Sequence, residues 1–81
     1  MKKDELKRII GRNIRKYRLR YNTLDNKRLT QTQLAELIGA KRSLIGAIES
    51  DNSSICISVF NLYKISKVLN IRIDKFFEVE A

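Results

Sequence analysis

The 81-residue sequence has no proline, no histidine and no tryptophan, and it has a single cysteine, Cys56. Without histidine the chain lacks the commonest general base and the commonest metal ligand. One cysteine permits neither an intramolecular disulfide framework nor a cysteine metal cluster. The sequence also has no glycine-rich phosphate loop and no paired carboxylates that suggest a catalytic cleft. We therefore expect no enzymatic activity, no metal site and no cofactor.

Long apolar runs are missing as well. No segment approaches the length of a membrane span, and the charged N-terminus is not followed by the apolar stretch of a signal peptide. The sequence therefore predicts a cytoplasmic protein with no membrane partner. In that reducing compartment we expect Cys56 to be a small packed residue, and a redox-sensing thiol is the alternative.

Positive charge is abundant and unevenly distributed. The net charge is +8, and residues 1–42 carry a net +9 while residues 43–81 carry a net −1. A basic face beside a near-neutral half is the electrostatic footprint of a polyanion-binding protein. Such a charge accounts for affinity and salt dependence but not for sequence choice. The alternative is a lysine-rich surface that only keeps the protein soluble.

Apolar residues spaced by three and four predict a first helix over about residues 4–21. Its apolar face contains Leu6, Ile9, Ile10, Ile14, Tyr17 and Tyr21. The other face carries Lys7, Arg8, Arg12, Arg15, Lys16 and Arg20. The segment 22–26 is typical of a loop. With few helix breakers and a short chain, the sequence predicts a single all-α domain over residues 1–81.

Two short helices follow. Thr30 and Gln33 have the spacing of a capping box, and Gly39 is a natural C-terminal stop, so a second helix is predicted at about 31–38. A third helix is predicted at about 41–50, and it lacks the usual serine or threonine cap because Lys41 stands there. A missing cap costs about 1 kcal/mol.

The last part of the chain contains two more predicted helices. Ser58 is expected to cap the fourth, with an inward face of Val59, Leu62, Tyr63, Ile65 and Leu69. A short fifth helix is expected at about 73–79. Between the third and fourth helices, residues 54–58 alternate polar and β-branched residues, and we interpret them as an extended linker that packs on the bundle or on a partner.

Two short helices joined by a tight glycine-containing turn, on a basic domain, outline a helix-turn-helix. In that arrangement the second helix lies in the major groove of DNA and presents its first-turn side chains to base edges. Those residues are Lys41, Arg42 and Ser43. An arginine at this place can contact the O6 and N7 atoms of guanine with two hydrogen bonds.

The segments LTQTQLAELIG (29–39) and SLIGAIE (43–49) resemble the Cro/C1-type, XRE-like helix-turn-helix family of phage lambda repressors. The resemblance extends over about residues 9–77. It implies a compact five-helix lambda-repressor-like fold and a symmetric dimer on a palindromic operator. Among relatives of this size, restriction-modification controller proteins look most similar, from Ile45 to Glu49 and from Asp74 to Glu78.

The resemblance also implies roles for single residues. It places Lys41, Arg42, Ser43 and Ala47 at base-reading positions, although Ala47 can touch only a thymine methyl group. It implies that Arg18 pairs with Glu49 as a brace for the reading helix. Contacts to the DNA backbone are expected from Gln31, Arg18, Lys27, Arg28 and Arg12. The loop Asn22–Lys27 holds about six residues more than in the family.

The sequence therefore predicts a homodimeric transcriptional regulator that binds double-stranded DNA, needs no small-molecule ligand and controls its own promoter. The dimer interface is expected from Ile55, Ile57, Ile71, Ile73 and Phe77. The first alternative is an antitoxin or adaptor of the same fold whose main partner is another protein. The second is a membrane-surface role for the basic first helix.

Overall fold

The computed structural model describes residues 1–21 and 27–79, so the predicted loop 22–26 lies outside the described residues. Their order of elements is α1 (Lys3–Arg20), α2 (Gln31–Ile38), α3 (Arg42–Glu49), α4 (Val59–Leu69) and a C-terminal 3-10 helix (Ile73–Phe77). The predicted all-α fold is confirmed, and the predicted fifth helix is a single 3-10 stretch that ends two residues early. The extent of the domain over residues 1–81 stays a prediction.

Local capping explains where α2 begins and ends and where α4 begins. The Thr30 hydroxyl accepts a hydrogen bond from the Gln33 backbone N–H at 3.0 Å, and the Gln33 side chain accepts one from the Thr30 N–H at 2.9 Å. Gly39 ends α2 in the left-handed conformation at φ 70°. Ser58 caps α4 by accepting from the Asn61 N–H at 3.1 Å. The three predicted cap residues, Thr30, Gly39 and Ser58, are therefore confirmed.

The core lies between the four α-helices and is closed by the 3-10 helix. Its largest fully buried side chains are Ile14, Leu34, Ile45, Ile48, Ile65 and Phe76. Phe76 packs edge-on against Tyr17, with ring centroids 5.9 Å apart. The buried Asn13 side-chain amide donates to the carbonyl oxygens of Phe76 and Glu78, each at 2.8 Å. These two bonds attach the C-terminal segment to α1.

One stripe of α1 faces α3 and consists of Lys7, Gly11, Ile14 and Arg18, which are all buried. The spacing of three and four residues places them on one face of a helix. At Gly11 the two helices touch backbone to backbone, because a Cβ there would lie 2.1 Å from the Ile48 carbonyl oxygen. Only glycine fits this contact.

Predictions about four single residues are wrong. Lys7 is only 6% exposed and does not lie on the solvent face of α1, because it has backbone acceptors on α3. Val59 is 79% exposed and Tyr63 is half exposed, because the stripe that packs inward is Leu62, Ile65, Ser66 and Leu69. Cys56 is an exposed free thiol and not a packed residue, since it lies in the irregular segment before α4.

Candidate nucleic-acid interface

The α2–turn–α3 unit has the geometry of a helix-turn-helix. After Gly39, the Ala40 N–H returns to the Ala35 carbonyl oxygen at 2.8 Å, which is a Schellman-type ending that turns the chain sharply. The α3 helix starts at Arg42, two residues later. Lys64 of α4 donates to the Ile38 carbonyl oxygen at 2.6 Å and so binds the C-terminal end of α2.

The predicted base-reading residues lie together at the N-terminal end of α3. Lys41, Arg42 and Ser43 are exposed, and Ala47 is half-buried one turn later. Within residues 1–21 and 27–79, the side chains of Lys41, Arg42 and Ser43 form no hydrogen bond or ion pair. The opposite face of α3 is anchored in the core by Ile45 and Ile48. This end of α3 therefore presents donors and a positive charge to a partner.

The N-terminus of α3 has no local stabilisation from a cap. Lys41 occupies the N-cap position in an extended conformation, and its side chain makes no capping hydrogen bond. This agrees with the prediction from the sequence. Gly46 within the helix lowers its helix propensity by about 1 kcal/mol relative to alanine. An eight-residue helix of this kind depends on tertiary contacts for its position.

Arg18 and Glu49 form the predicted brace. The Arg18 guanidinium donates Nε to Glu49 Oε2 at 2.8 Å and Nη2 to Oε1 at 2.9 Å, and it donates Nη1 to the Leu29 carbonyl oxygen at 2.7 Å. The two side chains are only 8% and 3% exposed. The pair therefore joins α1, α3 and the segment before α2 in a two-pronged, nearly enclosed contact.

Gln31 takes part in the same network. Its side-chain amide donates to Glu49 Oε1 at 3.1 Å, and the residue is half-buried. Gln31 was predicted to lie at the DNA backbone, and its bond to Glu49 was not predicted. The contact ties the first turn of α2 to the last residue of α3, so the relative orientation of the two helices is set at both ends of the unit.

The residues expected at the DNA backbone have different surroundings. Lys27 and Arg28 are exposed and precede α2. Arg12 is exposed but forms an ion pair with Asp51 at 2.9 Å. The hydrogen bonds that its guanidinium donates to the Asp51 carboxylate lower the pKa of that carboxyl. Arg18 is nearly enclosed, because its guanidinium is bonded to Glu49 and to the Leu29 carbonyl. Their contacts with DNA stay predictions.

Lys7 is a residue of this region that sequence reasoning placed on the wrong face. Its ammonium group donates to the Ala47 carbonyl oxygen at 3.0 Å and to the Ser50 carbonyl oxygen, both at the C-terminal end of α3. The spacing Lys7–Gly11–Arg18 was the signal that could have placed it on the stripe facing α3.

The expected dimer residues are partly on the surface. Ile55, Ile73 and Phe77 are exposed to between 37% and 50%, whereas Ile57 and Ile71 are half-buried against the core. Val59 and Phe60, at the start of α4, are also exposed apolar residues, although Val59 was predicted to face inward and Phe60 was given no role.

Comparisons with known proteins agree with this geometry. A helix-turn-helix family model matches residues 14–76. The crystal structure of the restriction-modification controller protein C.AhdI from Aeromonas hydrophila is similar to this chain, with a TM-score of 0.68 and 28% sequence identity over 88% of this chain and 96% of that chain. No curated protein sequence matches significantly. No helix of the described ranges is both long and apolar enough to cross a membrane. The chain therefore belongs to the helix-turn-helix family of DNA-binding transcriptional regulators, as its Cro/C1-type motif predicted.

Proposed function

We propose that the protein binds a palindromic DNA operator as a homodimer and places α3 of each subunit in successive major grooves. The observation that carries the proposal is the exposed first turn of α3, where Lys41, Arg42 and Ser43 have no described side-chain partner. Arginine and lysine contact guanine and serine contacts several bases, so this turn has the chemistry for base readout. Half-sites about one helical turn apart would match such a dimer.

Contacts with DNA phosphates would fix the position and orientation of the protein on the duplex. The exposed side chains of Lys27 and Arg28 support this role, and the N-terminus of α2 adds the partial positive charge of its helix dipole. Gln31 would reach phosphate only if its amide left Glu49, since the two are hydrogen-bonded at 3.1 Å. We therefore propose that Arg18, Glu49 and Gln31 act chiefly by orienting the two helices, and that Arg12 contacts DNA only after leaving Asp51.

Self-association is supported by exposed apolar residues of the C-terminal half of the chain. Ile55, Ile73 and Phe77 were expected there, and Val59 and Phe60 extend the set. Control by protein concentration would then follow from dimerisation. The similarity to C.AhdI supports a role as the controller of a restriction-modification system, with regulation of its own promoter. We propose the cytoplasm as the compartment in which it acts.

The test is selection of bound sequences from a randomised duplex pool, followed by titration of the selected duplex and a scrambled duplex at one salt concentration. We expect a two-fold-symmetric sequence bound at least about 10³-fold more tightly than the scramble. Arg42→Ala should lose about 1–3 kcal/mol of specific binding and relax the preference at one base pair. Arg72→Ala, an exposed arginine outside the helix-turn-helix, is the matched control and should keep the preference.

A second candidate is an antitoxin or adaptor whose main partner is a different protein. The exposed Val59 and Phe60 favour it, because they offer an apolar surface that a different chain can also bind. The same experiment separates the two. If no sequence is selected and affinity only falls with salt, the proposal that the protein reads DNA sequence is wrong. The function as an antitoxin or adaptor is then the better one.

A further inference from the structure

The C-terminal end of α3 is held by α1 at every position. The Ala47 and Ser50 carbonyl oxygens accept from Lys7, the Ile48 carbonyl lies against Gly11, and Glu49 pairs with Arg18. The N-terminal end of α3, by contrast, has no side-chain cap. The base-reading end is therefore positioned from the far end of the same helix.

Lys7 makes the most specific of these contacts. The side chain is 6% exposed, and its ammonium group donates to the Ala47 carbonyl oxygen at 3.0 Å and to the Ser50 carbonyl oxygen. Carbonyl groups in the last turn of a helix lack the partners of the helix interior, and the helix dipole places partial negative charge there. The Ala47 carbonyl oxygen accepts otherwise from the Ser50 N–H, at a long 3.3 Å. A buried ammonium group between these carbonyls donates hydrogen bonds to them and offsets the partial negative charge. Its range of allowed positions is narrow, because hydrogen bonds weaken steeply with distance and angle.

We propose that Lys7 is a positioning residue for base reading, which fixes the rotation and depth of α3 relative to α1. The inference rests on the proposed function. Attraction to DNA phosphates depends on net charge and tolerates small displacements of α3, whereas base-edge hydrogen bonds do not. Lys7 therefore contributes to discrimination between duplexes more than to affinity for any duplex.

The α2 helix supplies a matched control for this idea. Its C-terminal carbonyl, on Ile38, also accepts from a lysine of another helix, Lys64 of α4 at 2.6 Å. Lys7→Met and Lys64→Met each keep the apolar stem and remove one ammonium group that binds a helix C-terminus. They change net charge equally, so a difference between them reports which helix is displaced.

The experiment measures the operator-to-scramble affinity ratio for both variants at one salt concentration, after circular dichroism has shown that both are folded. Amide hydrogen exchange by NMR is recorded on the same samples. We expect Lys7→Met to lower the ratio about tenfold, comparable to losing one charge-assisted hydrogen bond. Faster exchange should be confined to α3. Lys64→Met should speed exchange in α2, and because α2 is proposed to contact phosphate and not bases, it should weaken binding to both duplexes alike and leave the ratio within about twofold of the wild type.

If Lys7→Met does not fold, Lys7→Arg serves as the test. It keeps the charge, but its longer planar group cannot take the same place between the two carbonyls, so the ratio should fall by about threefold or more. An unchanged ratio in the folded variant overturns the inference about Lys7. A wild-type protein that selects no operator overturns the proposed function, and with it the role of Lys7 in DNA reading.

Discussion

The contact between Gly11 and α3 leads to a prediction opposite in sign to the usual effect of a helical glycine. In most helix interiors, glycine to alanine stabilises a protein by about 1 kcal/mol. At Gly11, however, a Cβ would lie 2.1 Å from the Ile48 carbonyl oxygen, whereas real Cβ contacts essentially never fall under 3.0 Å. The oxygen belongs to the main chain and cannot rotate away, so α1 and α3 would have to separate by about 1 Å.

The cost follows from what that separation disturbs. The buried side chains of Ile14, Ile45 and Ile48 pack between the two helices. Overpacking with a backbone shift costs about 1–3 kcal/mol, and the upper end applies because the shift loosens these contacts. After the gain of about 1 kcal/mol in helix propensity, Gly11→Ala should lose about 2 kcal/mol of unfolding free energy. In a domain of this size the melting temperature falls by about 8–16 °C.

Gly46→Ala is the matched control, since the nearest atom to a Cβ there is the Gln31 side-chain oxygen at 3.7 Å, an ordinary contact. We expect it to raise the free energy of unfolding by about 1 kcal/mol and the melting temperature by about 4–8 °C. Urea and thermal unfolding followed by circular dichroism measure both variants. A Gly11→Ala protein at least as stable as the wild type would show that α1 and α3 do not approach as described.

Two further predictions concern buried polar contacts. Arg18→Met should cost about 3–5 kcal/mol in urea unfolding, because it leaves the Glu49 carboxylate buried without its charged partner. The Arg18→Met/Glu49→Leu double variant should recover most of that loss, and a double variant as unstable as the single one would contradict this account. Asn13→Ala should cost about 1–3 kcal/mol, because the Phe76 and Glu78 carbonyls lose their donor. Hydrogen exchange should then rise first in the C-terminal segment; a uniform rise over the chain would contradict a local role.

The ends of α2 could be predicted to the residue because their causes are local. Thr30, Gln33 and Gly39 each act on backbone groups a few positions away, and no tertiary contact is needed to identify them. The third helix was predicted one residue too long at each end. At Lys41 and Ser50 the sequence has no capping side chain that marks a boundary, and the ends are set by contacts with other helices.

Lys7 and Gly11 show what periodicity could not provide. Lysine is ordinarily a surface residue, so a helical pattern assigns it to solvent. Its acceptors are main-chain carbonyls at the C-terminal end of α3. Every residue has such a carbonyl, so the residue types there do not reveal the contact. The close approach at Gly11 likewise depends on the geometry of two helices, and the contacting residues Gly11 and Ile48 are more than 30 positions apart in sequence.

The candidate site was predicted in part through resemblance. The pairing of Arg18 with Glu49 came from the family pattern, and the structure contains it as a two-pronged contact. The hydrogen bond from Gln31 to Glu49 did not follow from either pattern or composition, because the glutamine has two possible partners, phosphate or carboxylate. Only the position of Glu49 beside the first turn of α2 decides between them in the free protein.

The exposed turn at Lys41, Arg42 and Ser43 has a consequence for how such a protein can diverge. These side chains support nothing else in the described chain, while the far end of the same helix is fastened to α1. Substitutions at the three positions can therefore alter the preferred DNA sequence while the fold keeps its stability. Descendants of one ancestor can in this way acquire separate operators by few changes, and a library randomised at these positions should yield mostly folded proteins with new specificities.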